Sequence, residues 1–391
     1  MKNIAVITGT RAEYGLLKPL IKTISEDITF NLQLIVTGMH LSANFGFTYK
    51  QIEKDGFIID YKVEDHLSGD TAEAITKAIG VGMIGFAEAY EKLNPDLIVV
   101  LGDRSEILAA ATSAMIKGIP IAHLHGGETT EGAYDEGIRH AITKMSYLHF
   151  TSSELYRRRV IQLGEAPDRV FNVGAIGIDS IKSLNLLNKS GFEKSINASL
   201  HKKNVLITFH PVTLENSTSD KQFSELLKSL DKLEDTLLIF TKPNSDKDGR
   251  VIIKMIDEYV RQNQYKAIAF TSLGQLRYLS ALKYVDFVIG NSSSGIYEIP
   301  VFKIPTINIG DRQKGRLMPI SVINCEPNQN EIDKAIDKAL SKSFNTEIQN
   351  QKSIFGEGDT TSKIIDILKK VKIEDIKKSF YDLESLNDVK G

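Results

Sequence analysis

Short apolar runs rich in β-branched residues alternate along this chain with longer stretches whose apolar positions recur every three or four residues. Such alternation predicts βαβ units built into parallel sheets. Strands are expected over residues 4–8, 32–37, 97–101, 119–124, 148–152 and 170–173, with helices in the gaps. The pattern then restarts, and residues 205–209, 237–241, 267–270, 287–289 and 306–309 predict the strands of a second α/β domain. Residues 178–203 mix short apolar and polar stretches without a strand pattern and read as the linker. Beyond residue 353 the chain reads as helical and charged. Open parallel sheets bind ligands beyond the carboxyl ends of their strands, so the informative residues should lie just after each run.

Bulk properties narrow the function. The 391 residues exceed the roughly 250 to 300 at which a single core stops growing, in line with two domains. Basic and acidic residues nearly balance, 48 against 50. That removes the broad positive field of a nucleic-acid binder and leaves any anion to local groups. A lone cysteine, Cys325, excludes an intrachain disulfide or a cysteine metal cluster and points to the reducing cytoplasm. No apolar run approaches the ~20 residues of a membrane span, and the first run is too short for the apolar region of a signal peptide.

The strand ends carry the candidate chemistry. After the first run, Thr8-Gly9-Thr10-Arg11-Ala12-Glu13 offers backbone amides and the Arg11 cation to an anion, although a tight turn with a surface arginine would read the same. Gly102-Asp103-Arg104 ends another run, where an aspartate is often a helix cap. His123-Leu124-His125-Gly126-Gly127-Glu128 sets two histidines on one strand face. No third metal ligand follows at a fitting spacing, which favours packing histidines. Asp135 and Arg139 share a helix face, an arrangement usually structural when exposed. The accumulation of Asp103, Glu128 and Asp135 within about forty residues, each near a strand end, raises the functional reading. Carboxylates meeting at one site drive their pKa values apart, as acid/base chemistry requires.

In the second half, His210 follows a strand and can contact a phosphate or pass a proton. The segment from Gly290 to Glu298 opens a predicted helix with Ser292, Ser293 and Ser294, a cradle for a diphosphate that a serine-capped helix would also explain. Glu298 is placed to take ribose hydroxyls. Gly310-Asp311-Arg312-Gln313-Lys314-Gly315-Arg316 adds cations.

Taken in order, TGTRAEYG, VTGMH, VLGDR, HLHGGE, DEGIRHAITK, FHPVT, GNSSSGIYE and INIGDRQKGR resemble the motifs of the hydrolysing UDP-N-acetylglucosamine 2-epimerases of sialic acid synthesis, from Thr8 to about Arg316. The resemblance implies an α/β GT-B fold, with two Rossmann-like domains and their parallel sheets flanking a central cleft. The boundaries expected are 1–180 for the acid/base domain, 200–365 for the UDP-binding domain, and 366–391 for a helical tail packing back on the first. It further implies Asp103, Glu128, Asp135 and His210 as catalytic residues, with Arg139 beside Asp135. Arg11, Asn244, Ser292, Ser293, Glu298 and Arg312 match nucleotide-binding positions, and His40 and Arg104 fit motifs near the sugar. UDP-N-acetylglucosamine is the implied substrate, with no cofactor and no metal, and a homodimer or homotetramer is the expected assembly.

These residue types permit loss of UDP to a 2-acetamidoglycal followed by rehydration. Asp103 and Glu128 would handle the elimination, and Asp135, held by Arg139, would assist hydration. The same chemistry on UDP-N,N'-diacetylbacillosamine, a non-hydrolysing epimerase and a GT-B glycosyltransferase are the alternatives.

Overall fold

The computed structural model of the chain describes residues 1–65, 71–130, 134–211, 219–243, 247–350, 352–373 and 375–383. Two compact units emerge, one of Met1–Ser183 with Ile354–Gly391 and one of Leu184–Ser353. In the first, β1 (Lys2–Thr8), β2 (Phe30–Thr37), β3 (Tyr61–Val63), β4 (Leu97–Leu101), β5 (Ile121–Leu124), β6 (Leu148–Thr151) and β7 (Val170–Asn172) form one parallel sheet. Their order is β3-β2-β1-β4-β5-β6-β7. Alternate side chains sort to opposite faces. Ile4 and Val6 join Leu97, Val99 and Leu101 against the helices Arg11–Glu26 and Thr360–Lys370. Ala5, Ile7, Ile98 and Val100 join Phe86 and Tyr90 of the helix Ala72–Leu93. Helices on both faces explain why these strands are apolar at consecutive positions.

The second unit repeats the plan with β8 (Lys203–Thr208), β9 (Thr236–Thr241), β10 (Ala267–Phe270), β11 (Phe287–Gly290), β12 (Thr306–Ile309) and β13 (Val322–Cys325). These are ordered β10-β9-β8-β11-β12-β13 and all parallel. Strand order reverses between β1 and β4 in one sheet and between β8 and β11 in the other, and a crevice opens at such points. Strands β3 and β13 escape the apolar pattern. Both lie at sheet edges, and each carries a polar residue, Lys62 or Asn324, among its few positions.

The expected boundaries need correction. Residues 354–365 belong with the first unit rather than with a domain ending at 365. The helix Thr360–Lys370 buries Ile364, Ile365 and Leu368 in the first core, and the Asp179 carboxylate accepts the amides of Thr360 and Thr361 at its start. The predicted linker holds the end of the helix Ile176–Ser183 and the helix Lys189–Ile196, whose Phe192 stacks on Tyr284 of the second unit. Among the described residues of the tail, helix ends at Lys370, where Lys2 Nζ donates to the carbonyls of Leu368 and Val371, and residues 375–383 continue without regular structure. No helix among the described residues is long and apolar enough to cross a membrane.

Candidate active site

In the first unit the groups gather beyond β1, β4 and β5. Thr10 caps the helix Arg11–Glu26 by accepting the Glu13 amide at 3.2 Å, and Arg11 is exposed at its first position. Glu13 turns inward, and its Oε2 accepts the Gly9 amide at 2.6 Å while Oε1 is buried without a partner. Burial, with the Glu106 carboxylate adding, pushes Glu13 up to about 8 against the pull of the Gly9 amide. His40 is fully buried with both ring nitrogens engaged, Nε2 by the Thr8 hydroxyl at 3.1 Å and Nδ1 by that of Thr48 at 2.8 Å. Burial lowers it to about 4, so it is a neutral strut of these loops.

Glu13 predicts a pH dependence of stability. Its ordinary pKa is 4.5 and its folded value about 8, so between those values the folded state holds more protons than the unfolded chain. Stability from this group therefore falls as pH rises across that window. Glu13→Gln should flatten the decline in melting temperature from roughly pH 5 to 9, measured by calorimetry against wild type; parallel curves for the two proteins would refute this.

Arg139, in the helix Asp135–Met145, is the hub. It is 3% exposed and its guanidinium makes four bonds. Nη1 donates to the Glu128 carbonyl and to Glu136 Oε2, both at 2.8 Å, and Nη2 to Asp103 Oδ2 and to Thr130 Oγ1. Burial opposes the charge, and Asp103, Glu128 and Glu136 more than restore it, so its pKa rises. The expected Asp135–Arg139 pairing is thus replaced, since Arg139 turns across to the end of β4 and back to Glu136. Asp135 stands at the first position of its helix, where burial and then the Asp103 charge raise its pKa while Arg139 and Arg104 oppose. Arg104 pairs with the buried Glu106.

Glu128 Oε1 accepts the Ser152 hydroxyl at 2.7 Å and lies 3.1 Å from His125 Nδ1. Because His125 Nε2 accepts the Ile176 amide, the proton sits on Nδ1 and is donated to Glu128. His123 is buried between the Gly102 carbonyl and the Thr143 hydroxyl, and burial lowers it to about 3. The two histidines thus take separate structural partners.

In the second unit Asn291 is the hub. It is 1% exposed, and its amide closes a ring with His210, accepting the His210 N–H and donating to the His210 carbonyl, both at 2.7 Å. Its own carbonyl receives Arg312 Nη1 at 3.0 Å and Gln313 Nε2 at 2.9 Å. The ends of β8, β11 and β12 are thereby tied together. Ser292 and Ser293 follow β11, but the predicted helix is one turn, Ser294–Tyr297, with Ser294 bonded to the Tyr278 hydroxyl. Glu298, just beyond it, has its pKa raised by burial. Asn244 lies outside the described residues. Glu13, Glu106, Glu136 and Asn291 were not anticipated as parts of the site, although Thr10 and Glu13 have capping-box spacing.

Two parallel Rossmann-like sheets, ordered alike but for the seventh strand of the first, make this an α/β protein of the GT-B type. The model of the family described as UDP-N-acetylglucosamine 2-epimerase matches residues 22–369, and the chain belongs to that family. It is 44% identical over 384 residues to a GDP/UDP-N,N'-diacetylbacillosamine 2-epimerase (hydrolyzing) of Campylobacter jejuni, covering 98% of this chain and 99% of the relative. It is 38% identical to the polysialic acid biosynthesis protein P7 of Escherichia coli, covering 98% of each. The UDP-GlcNAc 2-epimerase of Neisseria meningitidis, solved bound to UDP-GlcNAc, shares the fold at a TM-score of 0.80 and 18% identity, over 95% of this chain and 100% of that one.

Proposed function

We propose that the chain is a hydrolysing 2-epimerase that converts UDP-N-acetylglucosamine to UDP and N-acetylmannosamine. The observation that carries this reading is the set of carboxyl groups around one buried guanidinium. Asp103 is bonded to Arg139, Glu128 receives two donors, and Asp135 is biased toward holding a proton. Acid and base roles need such unlike environments.

The C2 proton of a 2-acetamido sugar is scarcely acidic until the C1–O bond begins to break. Asp103 or Glu128 takes that proton, its electron pair forms the C1=C2 bond, and UDP departs. Arg11, His210, Ser292, Ser293 and Arg312 are assigned to the growing diphosphate charge, which preorganised donors stabilise, Asn244 to the nucleotide and Glu298 to its ribose. Water then adds at C1 while Asp135 assists protonation of C2 from the opposite face, so the net reaction consumes one water. We place the reaction in the cytoplasm, in keeping with the single cysteine, and the assembly as a homodimer or homotetramer.

The enzyme with UDP-N-acetylglucosamine alone in deuterated water should release UDP and a free mannose-configured sugar carrying deuterium at C2. A UDP-linked product, a required acceptor or an undeuterated C2 would each reject the scheme. A second reading is favoured by the 44% identity to the Campylobacter jejuni enzyme: the same chemistry on UDP-N,N'-diacetylbacillosamine. Turnover of both sugars side by side separates them.

A further inference from the structure

Residues 375–383 lack regular structure yet are fastened to the first unit by side chains. Lys378 Nζ donates to the carbonyls of Lys144 at 2.8 Å and Ser146 at 2.6 Å, and to Glu165 Oε2 at 2.8 Å. Lys144 lies in the last turn of the helix Asp135–Met145 and Ser146 is its C-cap. The ammonium thus sits at the negative end of the helix dipole and satisfies carbonyls left open there. Glu165 is 2% exposed and also takes Lys144 Nζ at 2.6 Å and His149 Nε2 at 3.0 Å. Burial alone would raise its carboxyl, but these donors bring it down to about 2. Removing Lys378 would therefore strip a donor from a buried anion as well as from two carbonyls. Two residues on, the Phe380 ring lies over Gly164, where any Cβ would strike the ring. The Tyr381 amide donates to the Gly164 carbonyl at 3.0 Å, and Lys144 Nζ stands 5.0 Å from the Phe380 ring.

The braced helix carries Asp135 at its first position and Arg139, the bond partner of Asp103, one turn in. Its 11 residues form a hydrogen-bonded rod of roughly 16 Å, so displacement of one end is felt at the other. We propose that residues 375–383 brace this helix and that Lys378 is a positioning residue for the acid/base groups at its far end. The catalytic part of this inference rests on the reaction proposed above.

Lys378→Ala should lower kcat about tenfold and leave KM within about twofold, the signature of misplaced reacting groups with nucleotide binding kept. Lys378→Arg, which can still donate to all three acceptors, should recover most of the loss. Phe380→Ala should act in the same direction as Lys378→Ala. Amide hydrogen exchange in residues 135–146 of the Lys378→Ala protein should quicken relative to the rest of the first unit. Wild-type kcat, or a lower melting temperature with exchange in 135–146 unchanged, would overturn the brace. If the wild-type enzyme releases UDP from neither sugar, the reaction is refuted separately. Hydrogen exchange then still decides whether the helix is braced.

Discussion

Asp103→Asn should cost about 10²- to 10⁴-fold in kcat, the range for loss of a positioned acid or base, and Arg139→Met should cost at least as much. The reason lies in how few groups organise the first-unit site. The guanidinium of Arg139 joins the end of β4 through Asp103, the segment after β5 through the Glu128 carbonyl and Thr130, and its own helix through Glu136. Asp103→Asn keeps the shape but loses the charge that Arg139 bonds and that raises Asp135. Arg139→Met leaves Asp103 and Glu136, with side chains 27% and 29% exposed, without their shared cation, so the loss should fall below the about 3 to 5 kcal/mol of a fully buried pair broken from one side. The two substitutions should be strongly non-additive, because the second removes an interaction the first has already weakened. Steady-state kinetics and thermal unfolding of both single variants and the double variant test this. Turnover by Arg139→Met within about twofold of wild type would refute the hub.

Glu128 belongs to a separate branch of the same site. Its side chain is set by Ser152 at the end of β6 and by His125, whose tautomer is fixed by the Ile176 amide. Replacing His125 therefore disturbs the Glu128 carboxylate directly and Arg139 only through the Glu128 carbonyl, even though the two histidines of the motif look alike in sequence. His123, one strand position before Leu124, is buried and bonded to the Gly102 carbonyl and the Thr143 hydroxyl.

The sheet strands were legible because both faces are covered, so runs such as Leu97–Leu101 are apolar throughout. Edge strands β3 and β13 pair on one side only, and the pressure for apolar residues falls with the pairing. Asp103, Glu128, His210, Ser292 and Arg312 could be placed at strand ends from spacing alone. Their partners could not, because partner choice depends on contacts far apart in sequence. Arg139 selects Asp103, 36 residues away, over the neighbouring Asp135, and His40 spends both nitrogens on threonines. Asn291 was invisible for the same reason: its importance lies in bonds to His210, 81 residues away, and to the segment after β12. The tail's attachment was legible only in part, because charge and helical periodicity do not reveal that Lys378, Phe380 and Tyr381, beyond the helix that buries Leu368, also fasten it.

Gly290→Ala should produce the largest loss of stability in the second unit. Gly290 has φ of +147° and pairs with Thr208 across β11 and β8, so close that an added Cβ would fall inside the Thr208 carbonyl. No side-chain rotation relieves that overlap; the end of β8 or β11 has to move. Either shift breaks the ring between Asn291 and His210 and carries Arg312 with it, because Arg312 is bonded to the Asn291 carbonyl. The expected cost is at least about 3 kcal/mol, the combination of backbone strain with a steric clash in a packed core. UDP affinity should fall by about tenfold or more even at temperatures where the variant remains folded, because the residues proposed above to hold the diphosphate would lose their preorganisation. Asn291→Ala isolates the second effect. It leaves the strand pairing intact but removes the Asn291 side-chain bonds to the His210 amide and carbonyl, so it should weaken UDP binding with a smaller fall in melting temperature. Calorimetric titration of UDP together with thermal unfolding distinguishes the two. If Gly290→Ala melts within about 2 °C of wild type and binds UDP normally, the close pairing of β8 and β11 does not govern the proposed diphosphate site.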